Sequence, residues 1–123
     1  MSTYKIAIID DETEILTMLN RFLSKSGKYT VSTFSNPVIG VDAVNRDSFD
    51  LVLLDIMMPQ MNGLEALEKI MVKNPAQKIV MMTAYSTLDR VLKSHKEGAT
   101  NYVMKPFDSL QALESKITEV LKS

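Results

Sequence analysis

Carboxylate, hydroxyl and amine side chains stand at the ends of short apolar runs in this sequence. Asp10 and Asp11 follow the first run, Asp55 follows a later one, and Thr83 and Lys105 follow two more. Carboxylates that converge repel one another unless a cation lies between them. Oxygen ligands without histidine or cysteine favour a hard cation, and Mg²⁺ binds one or two carboxylates while keeping water and phosphate oxygens as its other ligands. If the fold brings these residues together, the sequence predicts a magnesium site.

Phosphoryl transfer is a second chemistry open to the same set. A carboxylate can attack phosphorus to form an aspartyl phosphate when a metal ion and a cation neutralise the charge on the transferred group. Lys105 could supply that cation, and Thr83 could supply a hydroxyl donor.

Each residue also has an ordinary structural role open to it. An aspartate after a strand is often a helix N-cap, and Asp11 could be only that. Lys105 alone would be a solvated lysine, and Thr83 alone a β-branched strand residue with a satisfied hydroxyl. Capping and solvation give no reason for such residues to share one edge of a sheet, so their joint placement favours the chemical interpretation.

The elements that must position these residues are five apolar runs, which we interpret as β-strands. Several lack polar alternation, as expected of parallel strands covered on both faces, and the segments between them have room for one helix each. The predicted strands are Lys5–Ile9, Tyr29–Phe34, Leu51–Leu54, Lys78–Met82 and Asn101–Met104.

The intervening segments show helical periodicity and helix-end signals. Apolar residues recur at helical spacing from Ile15 to Leu23, and again near the C-terminus. Ser35 or Asn36 precedes a proline at a helix start, and Asn62 with Glu65 forms a capping-box-like pair. The resulting (βα)5 alternation predicts an α/β fold, a doubly wound parallel five-stranded sheet with helices on both faces.

Ligands of such sheets bind beyond the carboxyl ends of the strands. If the strand order is the flavodoxin-like 2-1-3-4-5, the first and third strands are neighbours. Asp10, Asp11 and Asp55 then converge at one edge.

These residues resemble the response-regulator receiver domain of two-component signalling, in its chemotaxis-receiver-like form, over essentially the whole chain. The resemblance implies that Asp10 and Asp11 are the family's acidic pair and Asp55 its phosphoacceptor. It also implies that Thr83 is the switch hydroxyl and Lys105 the lysine that contacts the phosphoryl group.

Two further segments match the family. Asp55–Pro59, leading to Gly63, resembles its loop, which implies that the backbone carbonyl of Met57 is a metal ligand together with the three aspartates. Tyr102 matches an aromatic position that changes rotamer when the threonine moves toward the phosphoryl group. The Lys105–Pro106 peptide is expected to be cis.

The resemblance implies that a histidine kinase or phosphotransfer protein donates the phosphoryl group to Asp55 with Mg²⁺, and that the receiver catalyses its own phosphorylation and dephosphorylation. His95 is the only histidine and is expected at the surface, so the donor histidine belongs to a partner. Phosphorylation would change the face formed by the fourth helix, fifth strand and fifth helix, and so control an output protein or domain. A phosphorylation-dependent dimer through that face is left open.

Three rival functions are weighed against this one. A degenerate receiver, acting as a protein-interaction module, typically loses a carboxylate or the lysine, and this sequence keeps both. A small aspartyl-phosphate phosphohydrolase usually has a second acid two residues after its nucleophile, where Met57 stands. A flavodoxin-like flavin carrier needs a phosphate-binding loop after the first strand, where Asp10–Glu14 is acidic.

Composition sets the remaining bounds. The 123 residues suit a single receiver domain, expected at 1–123, and the net charge of −1 argues against direct binding of nucleic acid or anionic membrane. No cysteine is present, so disulfides and thiolate metal sites are excluded. The N-terminal apolar run is too short for a signal peptide or membrane span, so we expect a cytoplasmic protein. Whether it stands alone or is part of a longer regulator is left open.

Overall fold

The computed structural model describes residues 3–56, 58–83, 101–104, 107 and 109–122. Strands and helices alternate along these ranges. They are β1 (Tyr4–Ile9), α1 (Thr13–Ser24), β2 (Tyr29–Phe34), α2 (Pro37–Arg46), β3 (Leu51–Asp55), α3 (Gly63–Lys73), β4 (Ile79–Thr83), β5 (Asn101–Met104) and α4 (Leu110–Lys122). The fourth helix predicted from the sequence falls between β4 and β5, outside the described residues, so α4 is the fifth predicted helix.

The strands form one parallel sheet in the order β2-β1-β3-β4-β5. β1 lies between β2 and β3, and its last residue, Ile9, pairs with Phe34 on one side and Leu54 on the other. The predicted doubly wound fold and its 2-1-3-4-5 order are confirmed.

Apolar clusters cover both faces of the sheet. Ala7 and Ile9 of β1 belong to a cluster with α2 and α3, here called the α2–α3 cluster. Ile6 and Ile8 point to the other face and pack with α1 and α4 in the α1–α4 cluster. All four side chains are completely buried. Because each face has its own helices, the successive residues Ile6–Ile9 of β1 are all apolar, which explains why this strand lacks polar alternation there.

Three strands have bounds that differ from the predicted ones by one residue. β1 begins at Tyr4, β3 extends to Asp55, and β4 runs from Ile79 to Thr83. The physical reason at β3 is a continuing ladder, since the Ile56 N–H donates to the carbonyl of Met82 at 3.0 Å. Asp55 and Thr83 are therefore the last residues of their strands.

The predicted start signals of two helices are confirmed. The Oδ1 atom of Asn36 accepts from the N–H groups of Val38 and Ile39 at 2.9 and 3.4 Å, at the start of α2. The Oδ1 atom of Asn62 accepts from the Glu65 N–H at 2.9 Å, at the start of α3. Each cap satisfies backbone donors that the first helical turn leaves without a partner.

The turn from α1 into β2 uses a glycine with left-handed backbone. Gly27 has φ +73°, and its N–H donates to the Ser24 carbonyl at 3.4 Å.

Across the part of the chain that the structure describes, no helix has both the length and the apolar character needed to cross a membrane.

Candidate functional site

Three aspartates meet at the carboxyl edge of the sheet. Asp10 and Asp11 follow β1 directly, and Asp55 ends the neighbouring strand β3. One carboxylate oxygen from each residue lies within 4.8 Å of the other two. Asp10 and Asp55 are 0% and 3% exposed. The structure thus brings together the three carboxylates that the sequence predicted to converge.

The donor set of this acidic site fits a hard divalent cation. Its ligand atoms are all carboxylate oxygens, and two of the three groups are buried. Grouped carboxylates repel one another, and burial makes an uncompensated charge more costly. Mg²⁺ prefers a small number of carboxylate oxygens and retains waters at its other positions. The residues present therefore fit a bound Mg²⁺ ion.

Asp10 is held by hydrogen bonds through both its backbone and its side chain. Its N–H donates to the Phe34 carbonyl of β2 at 3.1 Å, and its Oδ1 atom accepts from the Glu12 N–H at 2.9 Å. The N-cap position of α1 is Glu12, whose side chain makes no capping hydrogen bond. The interpretation of Asp11 as a helix N-cap is therefore wrong, because the helix begins two residues later, at Thr13.

The loop after Asp55 returns to the strand through a glycine. Gly63 is the first residue of α3, and its N–H donates to the Ile56 carbonyl at 2.7 Å. A Cβ atom at position 63 would lie 2.6 Å from the Ile56 Cα and would also overlap the Asp55 carbonyl oxygen. Only glycine allows α3 to start this close to the acidic site. The sequence singled out Gly63 as part of a loop pattern, but this steric reason requires the structure.

The backbone of Thr83 lies at the same edge of the sheet. It ends β4, which is the neighbour of β3 on the side away from β1. Asp55 pairs with Met82, so Thr83 stands one residue further along its strand. Thr83 in turn pairs with Met104, and Lys105 follows Met104 in the sequence.

Several predicted features lie outside the described residues. These are the Met57 carbonyl, the Thr83 side chain, the Lys105 side chain, the Lys105–Pro106 peptide with its expected cis geometry, and His95. The roles assigned to them stay predictions.

Tyr102 lies in β5 and has a polar neighbour that the sequence did not indicate. Its ring is partly buried against the α2–α3 cluster, and the Nζ atom of Lys116 in α4 lies 6.0 Å from the ring centroid. Nothing in the pattern of α4 distinguishes Lys116 from an ordinary lysine on a polar helix face.

Comparisons with known proteins agree with this geometry. A family model described as the response regulator receiver domain matches residues 6–118. Transcriptional regulatory protein ZraR of Klebsiella oxytoca is 39% identical over 108 residues, which are 86% of this chain and 24% of that protein. Sporulation initiation phosphotransferase F of Bacillus subtilis (strain 168) is 37% identical over 88% of this chain and 86% of its own length.

Among solved structures, a CheY-like response regulator receiver domain protein from Methanospirillum hungatei JF-1 has a TM-score of 0.93 at 36% identity. The alignment covers 98% of this chain and 95% of that one. The chain thus spans about a quarter of ZraR and nearly all of the two shorter relatives. This chain belongs to the response regulator receiver domain family of two-component signalling.

Proposed function

We propose that this receiver accepts a phosphoryl group on Asp55, beside a Mg²⁺ ion held at the acidic site. The observation that carries the proposal is the meeting of three carboxylates within 4.8 Å at the end of β1 and β3. Asp10, Asp11 and Asp55 would hold the ion together with the Met57 carbonyl. The bound ion would neutralise charge on the phosphoryl oxygens.

We propose that the physiological donor is a phosphohistidine of another protein. A carboxylate oxygen of Asp55 forms the new bond to phosphorus, while the bond from phosphorus to a phosphohistidine nitrogen breaks. That nitrogen keeps the electron pair, and the partner's imidazole leaves. Lys105 would contact the transferred oxygens. A relative whose name denotes a phosphotransferase supports phosphoryl transfer as the reaction.

The surroundings of Asp55 favour phosphorylation of Asp55 itself over turnover of free phosphoesters. It is 3% exposed, and the fixed carboxylate of Asp10 lies beside it. The same site would catalyse both phosphorylation and dephosphorylation of its own Asp55, without turnover of free phosphoesters. Turnover of free phosphoesters by the isolated chain would instead support a phosphohydrolase.

The proposed switch connects the acidic site to β5. The phosphoryl group would draw Thr83 inward, and Tyr102 would move into the space left behind. A groove of about 460 Å³ lies between β5 and α4 and includes Tyr102, Phe107, Leu113 and Lys116 among its lining residues. We propose that the output partner binds this face, together with the fourth helix that the sequence predicts. A phosphorylation-dependent dimer would use the same surface.

The partners follow from the family. Receiver domains interact with histidine kinases and output domains, and the longer relative ZraR is named a transcriptional regulatory protein. For this chain we propose a kinase or phosphotransfer protein as donor and a protein or domain as output, without direct nucleic-acid binding. We also propose that residues 1–123 form a single domain that works in the cytoplasm.

The test is the intact mass of the chain after incubation with acetyl phosphate, with Mg²⁺ or with a chelator. We expect one phosphoryl adduct that requires Mg²⁺ and is absent from Asp55→Asn. The control is Asp42→Asn, which changes an exposed aspartate of α2 and should behave like the wild type. An adduct of equal yield in Asp55→Asn would contradict the proposal. No adduct in the wild type, even from a phosphorylated histidine kinase, would favour a degenerate receiver.

A further inference from the structure

Lys116 and Tyr102 come from different layers of the fold. α4 packs on the sheet through the α1–α4 cluster, whereas the Tyr102 ring packs against the α2–α3 cluster on the opposite face. Among the described residues, β5 is the last strand of the sheet, and no described strand lies on its outer side. The Lys116 side chain therefore reaches around this edge to approach the ring.

Asn101 joins the two residues. Its Oδ1 atom accepts from the Tyr102 N–H at 2.8 Å and also from the Lys116 Nζ at 3.4 Å. The ammonium group lies 6.0 Å from the centroid of the Tyr102 ring. The first bond fixes the carboxamide against the strand, and the carboxamide in turn holds the ammonium group near the aromatic ring.

We propose that Lys116 is a positioning residue for Tyr102, and that it opposes the inward movement of the ring on phosphorylation. The proposal rests on the switch role proposed above for Tyr102. An ammonium group within about 6 Å of an aromatic centroid is attracted by the ring quadrupole. This attraction stabilises the observed ring position, and it is lost when the ring moves away from the edge. Lys116 would thereby set how much of the unphosphorylated protein occupies the inward state.

The expected size follows from the exposure of the pair. Both side chains are partly accessible to solvent, which places the cation–π contact at the weak end of its range. Loss of the ammonium group should therefore raise the inward population by about 2- to 5-fold. Because the phosphoryl group acts through the same two states, the affinity for a phosphoryl mimic should rise by the same factor while the inward state stays minor.

The test compares Lys116→Met with Lys116→Arg, which keeps a cation at this position, and with Lys122→Met, which removes the same charge from the end of the same helix. The ring carbons of Tyr102 are followed by NMR without phosphodonor, with Tyr102→Phe used for assignment. We expect a displaced Tyr102 signal in Lys116→Met alone. In a second measurement, beryllofluoride with Mg²⁺ should bind Lys116→Met about 2- to 5-fold more tightly than wild type.

An unchanged Tyr102 signal in Lys116→Met would overturn the proposal, and so would an equal displacement in Lys122→Met. Failure of Lys116→Arg to keep the wild-type signal would overturn the role of the cation. The NMR comparison needs no phosphoryl group, so it decides the position of the ring even if Asp55 accepts none. Beryllofluoride binding that is equally tight in wild type and Lys116→Met would overturn the link to the switch.

Discussion

Asp10 contributes to the acidic site through its fixed position as well as its charge. Its backbone N–H bonds to Phe34, and its carboxylate accepts from the Glu12 N–H. The side chain is fully buried, so solvent does not compete for these bonds. A ligand that is already oriented loses little conformational freedom when a cation binds.

The first prediction concerns this residue. Asp10→Asn keeps the shape of the side chain and removes its charge, so it should weaken Mg²⁺ binding at least about 10-fold, since even changes to outer-shell partners of metal ligands reach that size. Amide NMR signals followed during a Mg²⁺ titration give the affinity. Asp42→Asn serves as the control for loss of one acidic charge at an exposed position. Equal affinities in Asp10→Asn and wild type would remove Asp10 from the ligand set.

Tyr29 provides a second prediction at the level of one side chain. Its hydroxyl donates to the Glu114 carboxylate of α4 at 3.2 Å, and burial raises the pKa of Tyr29 above its ordinary value of 10.0. A raised pKa stabilises the protonated form in the folded state, so this stabilisation is complete below pH 10.0 and is lost as the pH rises through the folded pKa.

Tyr29→Phe should therefore lower the free energy of unfolding by about 1 kcal/mol at neutral pH, through the lost hydrogen bond. The difference between variant and wild type should shrink as the pH rises above 10.0, because only the wild type has a phenol to ionise. Urea unfolding at a series of pH values measures both quantities. A difference that stays constant to alkaline pH would contradict this account.

At the scale of elements, glycine is required at two positions for different physical reasons. Gly63 admits the start of α3 against the backbone of Asp55 and Ile56, where a Cβ has no space. Gly27 has open space around it, but its φ of +73° is unfavourable for any other residue that would have to adopt it. The first glycine serves the site, and the second serves the turn after α1.

Alanine variants at the two positions distinguish a glycine that positions the site from one that is needed only for the turn. Gly63→Ala should lower the free energy of unfolding by about 1–3 kcal/mol and slow phosphorylation, because the backbone beside Asp55 must shift. Gly27→Ala should cost about 1–2 kcal/mol through backbone strain and leave the phosphorylation rate unchanged. Urea unfolding and the initial rate of adduct formation are the two measurements. A normal rate in a folded Gly63→Ala protein would show that the start of α3 does not position Asp55.

The order of strands and helices was predictable because strands that are buried on both faces have uninterrupted apolar sequences. β2 and β5 were predicted with their observed bounds, whereas β1, β3 and β4 differed by one residue. Apolar character marks where a strand is buried, but its last hydrogen bond depends on the neighbouring strand. The bond from Ile56 to Met82, for example, extends β3 through a charged residue.

At the scale of the whole molecule, the convergence of Asp10, Asp11 and Asp55 was predictable from the strand order alone. Parallel neighbours end at the same edge, so β1 and β3 bring their terminal aspartates together. The contact of Lys116 with Tyr102 was not predictable in this way. It depends on a side chain that reaches around an edge strand from the opposite layer. No spacing of residues in the sequence predicts such a contact.

Mg²⁺ binding should also stabilise the whole fold. A ligand that binds only the folded chain raises the free energy of unfolding, by roughly 2.7 kcal/mol at about one hundred times its dissociation constant. Thermal unfolding with and without Mg²⁺ measures the effect, and Asp10→Asn should lose most of it. An equal response in Asp10→Asn would place the stabilising ion elsewhere.

The measurement that tests the central claim most directly is the location of the phosphoryl group. Borohydride reduces an aspartyl phosphate to homoserine, so peptide sequencing by mass spectrometry after phosphorylation and reduction identifies the acceptor. The account predicts homoserine at position 55 alone, and only when Mg²⁺ was present. Homoserine at position 10 or 11, or a phosphoryl group that survives on a hydroxyl side chain, would contradict it.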